Sequence, residues 1–240
     1  MGSNMQQLIN AFEQLNTPRN EETLFKFERY MEGILLWNQK VNLTAITERE
    51  AFIQNHFVDS ILCAGYPEVQ NAETIIDVGT GAGFPGVPLA LLFPEKQFVL
   101  IDSLQKRIKI IHSLLKEIGI ENVAAIHGRA EDLASDAAYR ERFDLCVSRA
   151  VAKMPTLAEY CLPFVKKGGF FLAYKSEGTE EERVMSKNAL NRLGGGTPKE
   201  RAPAIEGFDL KHIFLFIEKT AGTPERYPRK AGLPSKNPLR

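Results

Sequence analysis

The chain has 240 residues, 44% of them hydrophobic and 25% charged, enough for one full α/β domain with a sizeable core and an added helical segment. Its 30 basic and 30 acidic side chains cancel, which excludes a surface coated in positive charge and leaves only local patches for any nucleic-acid contact. No apolar run approaches the roughly 20 residues needed to span a bilayer, and the start of the chain lacks the basic and apolar regions of a signal peptide.

Residues 1–4, ahead of Met5, read as an expression scar and are left out of the fold. A helical segment is expected over 5–66, where Leu24, Phe27, Tyr30, Met31, Ile34 and Leu35 recur at helical spacing. Thr47 is expected to cap a helix whose first turn holds Glu48 and Glu50 and whose apolar face holds Phe52, Ile53, Phe57 and Ile61. Pro67 breaks that pattern, and from about residue 72 strands and helices alternate. Strands are predicted at 74–78, at 98–101 ending in Asp102, at 123–126, at 143–147 and, after Gly168 and Gly169, at 170–174. A helix follows the first strand through Leu92, and another runs from Ile108 to a stop at Gly119. Repeated strand–helix units call for a parallel sheet covered on both faces over 67–222. Residues 212–219 make a last strand with no long helix after it, so it should pair antiparallel. The segment 223–240 forms a basic tail that its prolines should keep extended.

Cys63, Cys146 and Cys161 are odd in number, widely spaced and set in apolar surroundings. They read as packing residues of a cytoplasmic protein, with neither a disulfide framework nor a metal site.

At the end of the first strand lies Asp77-Val78-Gly79-Thr80-Gly81-Ala82-Gly83, opening a helix. Gly81, Gly83 and Gly86 also satisfy a literal GxGxxG, which alone is weak. The neighbouring chemistry separates the readings. A dinucleotide site seats pyrophosphate on free N–H groups at the helix start, whereas Phe84, Pro85 and Pro88 occupy that place here. Asp77, two residues before the first glycine, suits a ligand with a positive amino group. Asp102, about 20 residues on, is placed to accept from ribose hydroxyls. The run His127-Gly128-Arg129-Ala130-Glu131-Asp132 follows the third strand, where an adenine would be wrapped. This is the D-x-G-x-G-x-G order of a Rossmann-like class I S-adenosylmethionine-dependent methyltransferase, with S-adenosyl-L-methionine as the cofactor.

The fourth strand ends in Ser148-Arg149-Ala150-Val151, without the Asn/Asp-Pro-Pro-aromatic run of amino-group methylation. Cys146 lies inside that strand and lacks the Pro-Cys context of a cytosine-C5 nucleophile. An acceptor that already carries a free lone pair fits best, and guanine nitrogen 7 is one. A strand-end arginine is costly to bury unpaired, so Arg149 is the candidate catalytic or orienting group.

Several further segments are more particular: Trp37-Asn38-Gln39-Lys40-Val41-Asn42-Leu43-Thr44, His56-Phe57-Val58-Asp59-Ser60, Asp102-Ser103-Leu104 with Lys106 and Arg107, Arg129-Ala130-Glu131, and Arg226-Tyr227-Pro228-Arg229-Lys230. With them the chain, through nearly its whole length, resembles the RsmG (GidB) family of bacterial small-subunit ribosomal RNA guanine-N7 methyltransferases. That resemblance implies that Gly79, Phe84, Asp102, Ser103, Leu104, Ala130, Glu131 and Arg149 border the cofactor, and that small-subunit ribosomal RNA is the partner. Arg226, Arg229, Lys230, Lys236 and Arg240, facing only Glu225, are the candidate RNA contacts. Plainer readings stand beside these: Trp37 as core, His56 and Asp59 as a surface pair, and Lys106, Arg107 and Lys109 as a solvated helix face. Two rival functions stay open, a ribosome-assembly factor without turnover and a small-molecule methyltransferase.

Overall fold

Strand β1 (Thr74–Val78) pairs in parallel with β2 (Gln97–Asp102), and β2 with β3 (Val123–His127). On the other side of β1 lie β4 (Phe143–Arg149) and β5 (Val165–Ser176), also parallel. Strands β6 (Lys199–Arg201) and β7 (His212–Glu218) complete the sheet, β7 antiparallel to β5 and β6 antiparallel to β7. The order is β3-β2-β1-β4-β5-β7-β6. It reverses between β1 and β4, and the crevice at the carboxyl ends of those two strands is where an open α/β sheet binds its ligand. The structure, a computed structural model, describes residues 5–17, 20–176, 180–202, 205–208 and 212–239. Residues 1–4 and Arg240, both considered above, lie outside them.

Successive side chains of a strand point to opposite faces, and here that alternation sorts the core. Ile75, Phe98, Leu100, Leu145 and Val147 join one buried cluster; Ile76, Val78, Ile101 and Cys146 join another. Helices α1 (Gln6–Gln14), α2 (Glu21–Asn38), α6 (Gly86–Leu92) and α7 (Gln105–Ile118) cover the first face, as do a continuous helical stretch and α5 (Pro67–Gln70). That stretch comprises α3 (Arg49–Phe52), a π turn (Ile53–Val58) and α4 (Asp59–Ile61). The N-terminal helices thus share one core with the sheet. Helices α8 (Ala130–Leu133), α9 (Met154–Cys161) and α10 (Glu180–Arg192) lie with the second cluster. All three cysteines are buried and free.

Several expectations are corrected. The cap of α3 is Glu48 and not Thr47, because the longer carboxylate reaches the Glu50 and Ala51 amides at 3.0 and 2.7 Å. Strand β4 runs on to Arg149, and β5 starts at Val165. Strand β6 had no sequence signal: Lys199, Glu200 and Arg201 show no apolar alternation, and pairing with β7 alone makes them a strand. Such a short, charged strand suits a sheet edge, which it protects from further pairing. Helices α9 and α10 are likewise additions to the sequence reading.

The tail is not extended. Tyr227 and Leu239 are buried in the second cluster, and α11 (Leu233–Lys236) packs on α9. Arg140 donates to the carbonyls of Thr223 and Tyr227, each at 2.8 Å. Lys219, itself buried, donates to Thr223 Oγ1 at 2.8 Å and to two strand-side carbonyls. Arg140 at tail carbonyls and Lys219 at the Thr223 hydroxyl pin the segment where its prolines alone would have left it open.

Tyr30, in the middle of α2, donates from its hydroxyl to the carbonyl of Ala82 at 2.9 Å. It therefore presses the N-terminal helices onto the glycine loop. Gly83, at φ +91°, faces that ring: a Cβ there would lie 2.2 Å from the Tyr30 hydroxyl. Gly83→Ala should cost at least the roughly 1–3 kcal/mol of a side chain forced into a sparsely populated backbone region. Urea denaturation of Gly83→Ala, with and without Tyr30→Phe, checks this; the second change should recover part of the loss by removing the clashing oxygen.

Candidate active site

The glycine loop is shaped by two carboxylates. Asp77, at the end of β1, is fully buried, and its Oδ2 accepts from Thr80 Oγ1 at 2.6 Å and the Gly86 amide at 2.9 Å. Its other oxygen, Oδ1, is enclosed and has no partner among the described residues. Burial pushes the Asp77 carboxyl up to about 6, against the pull of Thr80, Gly86 and the Arg149 charge. Asp102, at the end of β2, accepts from the Gly81 amide at 3.0 Å and the Leu104 amide at 2.8 Å, with Arg107 3.4 Å away. Gly81 itself, at φ +62°, faces open space, so the backbone there is bare.

Beside the loop lies a cavity of about 220 Å³, lined by Val78, Gly79, Ile101, Asp102, Ser103, Gly128, Arg129, Ala130, Glu131, Val151 and Tyr160. Its floor is the carboxyl ends of β1, β2 and β3. Glu131 is buried, with Oε1 accepting from the Gly232 amide at 2.8 Å and Oε2 3.6 Å from Arg129.

A second cluster sits at the end of β4. Arg149 pairs with buried Asp59 and donates to the Asn55 carbonyl at 3.0 Å. It also lies 3.3 Å from His56 Nδ1, and its guanidinium carbon is 5.6 Å from the centre of the Phe84 ring. His56 stacks on Phe84 with ring centres 4.5 Å apart and the planes 1° from parallel. Its Nε2 is 2.7 Å from Thr44 Oγ1. Burial first, then the Arg149 charge, lowers the imidazole to about 4, with Asp59 opposing. Neutral His56 can therefore accept from Arg149 at Nδ1 and donate to Thr44 at Nε2. Thr44 is brought there by Asn38, whose Oδ1 accepts from the Leu43 and Thr44 amides and whose Nδ2 donates to the Thr44 carbonyl.

The GidB family profile, described as rRNA small subunit methyltransferase G, matches residues 23–197. The chain belongs to the GidB family. It is 45% identical over 229 residues to a ribosomal RNA small subunit methyltransferase G of Clostridium novyi (strain NT), covering 95% of this chain and 94% of that one. A protein of the same name from Clostridium kluyveri is 46% identical over 221 residues, covering 92% of each. An O-methyltransferase family protein from Burkholderia thailandensis superposes with a TM-score of 0.56 at 12% identity, over 84% of this chain and 71% of that one. That last likeness concerns the fold alone, which is the class I methyltransferase fold. As a GidB-family member the chain is an S-adenosylmethionine-dependent methyltransferase.

Within this GidB-family site the expected residues divide. Gly79, Asp102, Ser103, Ala130 and Glu131 line the cavity. Asp77 is sealed beneath the loop, and Gly83 faces Tyr30. Phe84 is buried against His56, and Arg149 is held by Asp59. Leu104 is half exposed and touches Asp102 through its amide. His56 and Asp59 do not form a surface pair; both turn to Arg149. Trp37 packs against the core, with Lys40 over its ring at 5.7 Å. Among the tail cations, Arg226, Lys230 and Lys236 are exposed. Arg229 is the correction: its guanidinium forms a two-pronged pair with fully buried Glu159 at 2.6–3.1 Å and is withdrawn from the surface. Sequence reasoning missed Val151 and Tyr160 in the cavity wall. The signal that could have found α9 was an acid, Glu159, inside an otherwise apolar helix.

The two shifted groups make opposite demands on stability. Asp77, raised from 3.8 to about 6, favours the fold fully below about pH 4, and that contribution is lost as pH rises to about 6. His56, lowered from 6.5 to about 4, favours the fold above about pH 6.5, and that contribution is lost as pH falls to about 4. Each shift of about two units corresponds to roughly 3 kcal/mol, so the two largely offset one another across the same window. Asp77→Asn should therefore be more stable than the parent at pH 7, and its stability should fall more steeply between pH 6.5 and 4.5. Urea denaturation over that range measures both; parallel pH profiles would contradict the assignment.

Proposed function

We propose that this chain transfers a methyl group to nitrogen 7 of a guanine in small-subunit ribosomal RNA, in the cytoplasm. The observation that carries this reading is the absence of an available base or nucleophile among the described residues at the end of β4. Asp59 is paired with Arg149, both nitrogens of His56 are engaged, and Cys146 is buried, its thiol pushed well up by desolvation and by Cys161. An acceptor used here has to bring its own lone pair, as guanine nitrogen 7 does in the intact base.

Bound S-adenosylmethionine supplies a methyl group on a positively charged sulfur, and that charge passes to the guanine as the new bond forms. The total charge does not change, so the protein's part is chiefly to position and to exclude water. Each Asp102 oxygen holds a backbone amide, and Oδ1, which Arg107 does not engage, keeps acceptor capacity for a ribose hydroxyl. Ala130, Glu131 and Tyr160 wall the adenine end, while Gly79 and bare Gly81 admit the methionine part. The unpartnered Asp77 Oδ1 supports a nearby ammonium through its charge. Arg149, fixed by Asp59 and His56 beside Phe84, orients the cofactor or the target base. Donation from Arg149 to nitrogen 7 would occupy the attacking lone pair, so recognition falls on oxygen 6 and the Watson–Crick edge. The target must be unstacked to reach the site, at a cost of a few kcal/mol that is smallest in a loop.

Two measurements test this. Substituting the target guanine by 7-deazaguanine, which keeps the shape and lacks the nucleophile, should abolish labelled-methyl transfer. Incorporation into that analogue, or a digest giving methylcytosine or N6-methyladenine, would show the acceptor to be wrong, and label in metabolites alone would favour a small-molecule enzyme. Neutralising Arg226, Lys230 and Lys236 together should weaken RNA binding. The dependence of log affinity on log salt should flatten by about 0.7–0.9 for each phosphate no longer held. An unaltered slope would remove the tail from the RNA interface.

A further inference from the structure

The tail touches the cavity wall at Glu131. The Gly232 amide donates to Glu131 at 2.8 Å, and Ser235 Oγ donates back to the Gly232 carbonyl at 3.0 Å, holding that turn; Glu131 lines the cavity. The same segment is fastened to α9 by the Arg229–Glu159 pair, whose Oε1 also accepts the Arg229 amide at 2.8 Å, and by Thr156 donating to the Pro234 carbonyl at 3.1 Å. Between and beside these anchors, Arg226, Lys230 and Lys236 point to solvent. One short stretch of chain therefore carries outward cations and, at Gly232, a support of the cavity wall.

We propose that the tail couples RNA binding to cofactor retention, with Glu159 and Arg229 as the positioning pair that transmits it. This rests on the reading that the outward cations meet RNA phosphates. When phosphates hold Arg226, Lys230 and Lys236, the Gly232 turn is held against Glu131, which is thereby fixed at the adenosine end of the cavity. Linkage requires the effect to be reciprocal: bound cofactor tightens RNA by the same factor.

The test is the dissociation constant of S-adenosylhomocysteine, by calorimetry, with and without unmethylated small-subunit ribosomal RNA, supplied free and within the small subunit. For the intact chain RNA should tighten the ligand by at least about 5-fold, within the usual range of coupling between sites. In Glu159→Gln/Arg229→Gln, which removes both charges and strands neither, the ratio should fall to within about 2-fold of unity. General loosening of the fold would shift both constants together and leave the ratio intact, which would overturn the proposal. Should the double variant not fold, Ser235→Ala removes the hydroxyl that holds the Gly232 turn and should lower the ratio in part; an unchanged ratio there overturns it as well. RNA that binds the intact chain without altering the ligand's constant would overturn the coupling alone. RNA that fails to bind would remove the functional reading beneath it.

Discussion

The Asp77 carboxylate is buried under the glycine loop, and the geometry of the rim follows from where its oxygens find donors. Oδ2 gathers Thr80 from inside the loop and the Gly86 amide from the first turn of α6, so the loop and the helix start are fixed together. A Cβ at Gly86 would lie 2.8 Å from that oxygen, which is why the helix opens on a glycine. The far side of the loop is then tied down by Asp102 through Gly81, and its outer wall by Tyr30 through Ala82. A buried carboxylate is costly to keep, and the raised pKa of Asp77 records that cost.

The N-terminal helices are part of this arrangement. Asn38 folds the chain after α2 so that Thr44 meets His56; His56 meets Arg149, and Arg149 closes on Asp59. The chain of contacts starts in the Trp37 segment and ends at the last residue of β4. It gives that segment a physical role: it fixes Arg149 at the strand end without exposing an uncompensated charge. The π turn carries His56 and the Asn55 carbonyl on the side facing β4, consistent with the frequent placement of such turns at functional sites.

The tail divides its cations by chemistry. Arginine's planar fork suits a buried carboxylate, and Arg229 is committed to Glu159, while Lys230 and Lys236 stay in water. A protein with no net charge can still present a local basic surface in this way.

The sequence by itself determined the elements whose signals are local. The apolar runs of β1 to β5 and β7, the helical spacing through α2, the Gly119 stop and the spacing of Asp77, the loop glycines and Asp102 all follow from short-range chemistry, and the structure places them accordingly. What only the tertiary structure decided were pairings across distance. The partner of Arg149 is 90 residues away, that of Arg229 is 70, and that of Glu131 is 101. Strand β6 exists because an edge of β7 was there to receive it. The tail folds because carbonyls in it meet Arg140, and its Thr223 hydroxyl meets Lys219; a proline-rich stretch carries no record of cations that lie elsewhere in the chain. Periodicity reports which face of an element is buried; it holds no information on which charged group will be opposite, because that depends on how the sheet brings distant ends together.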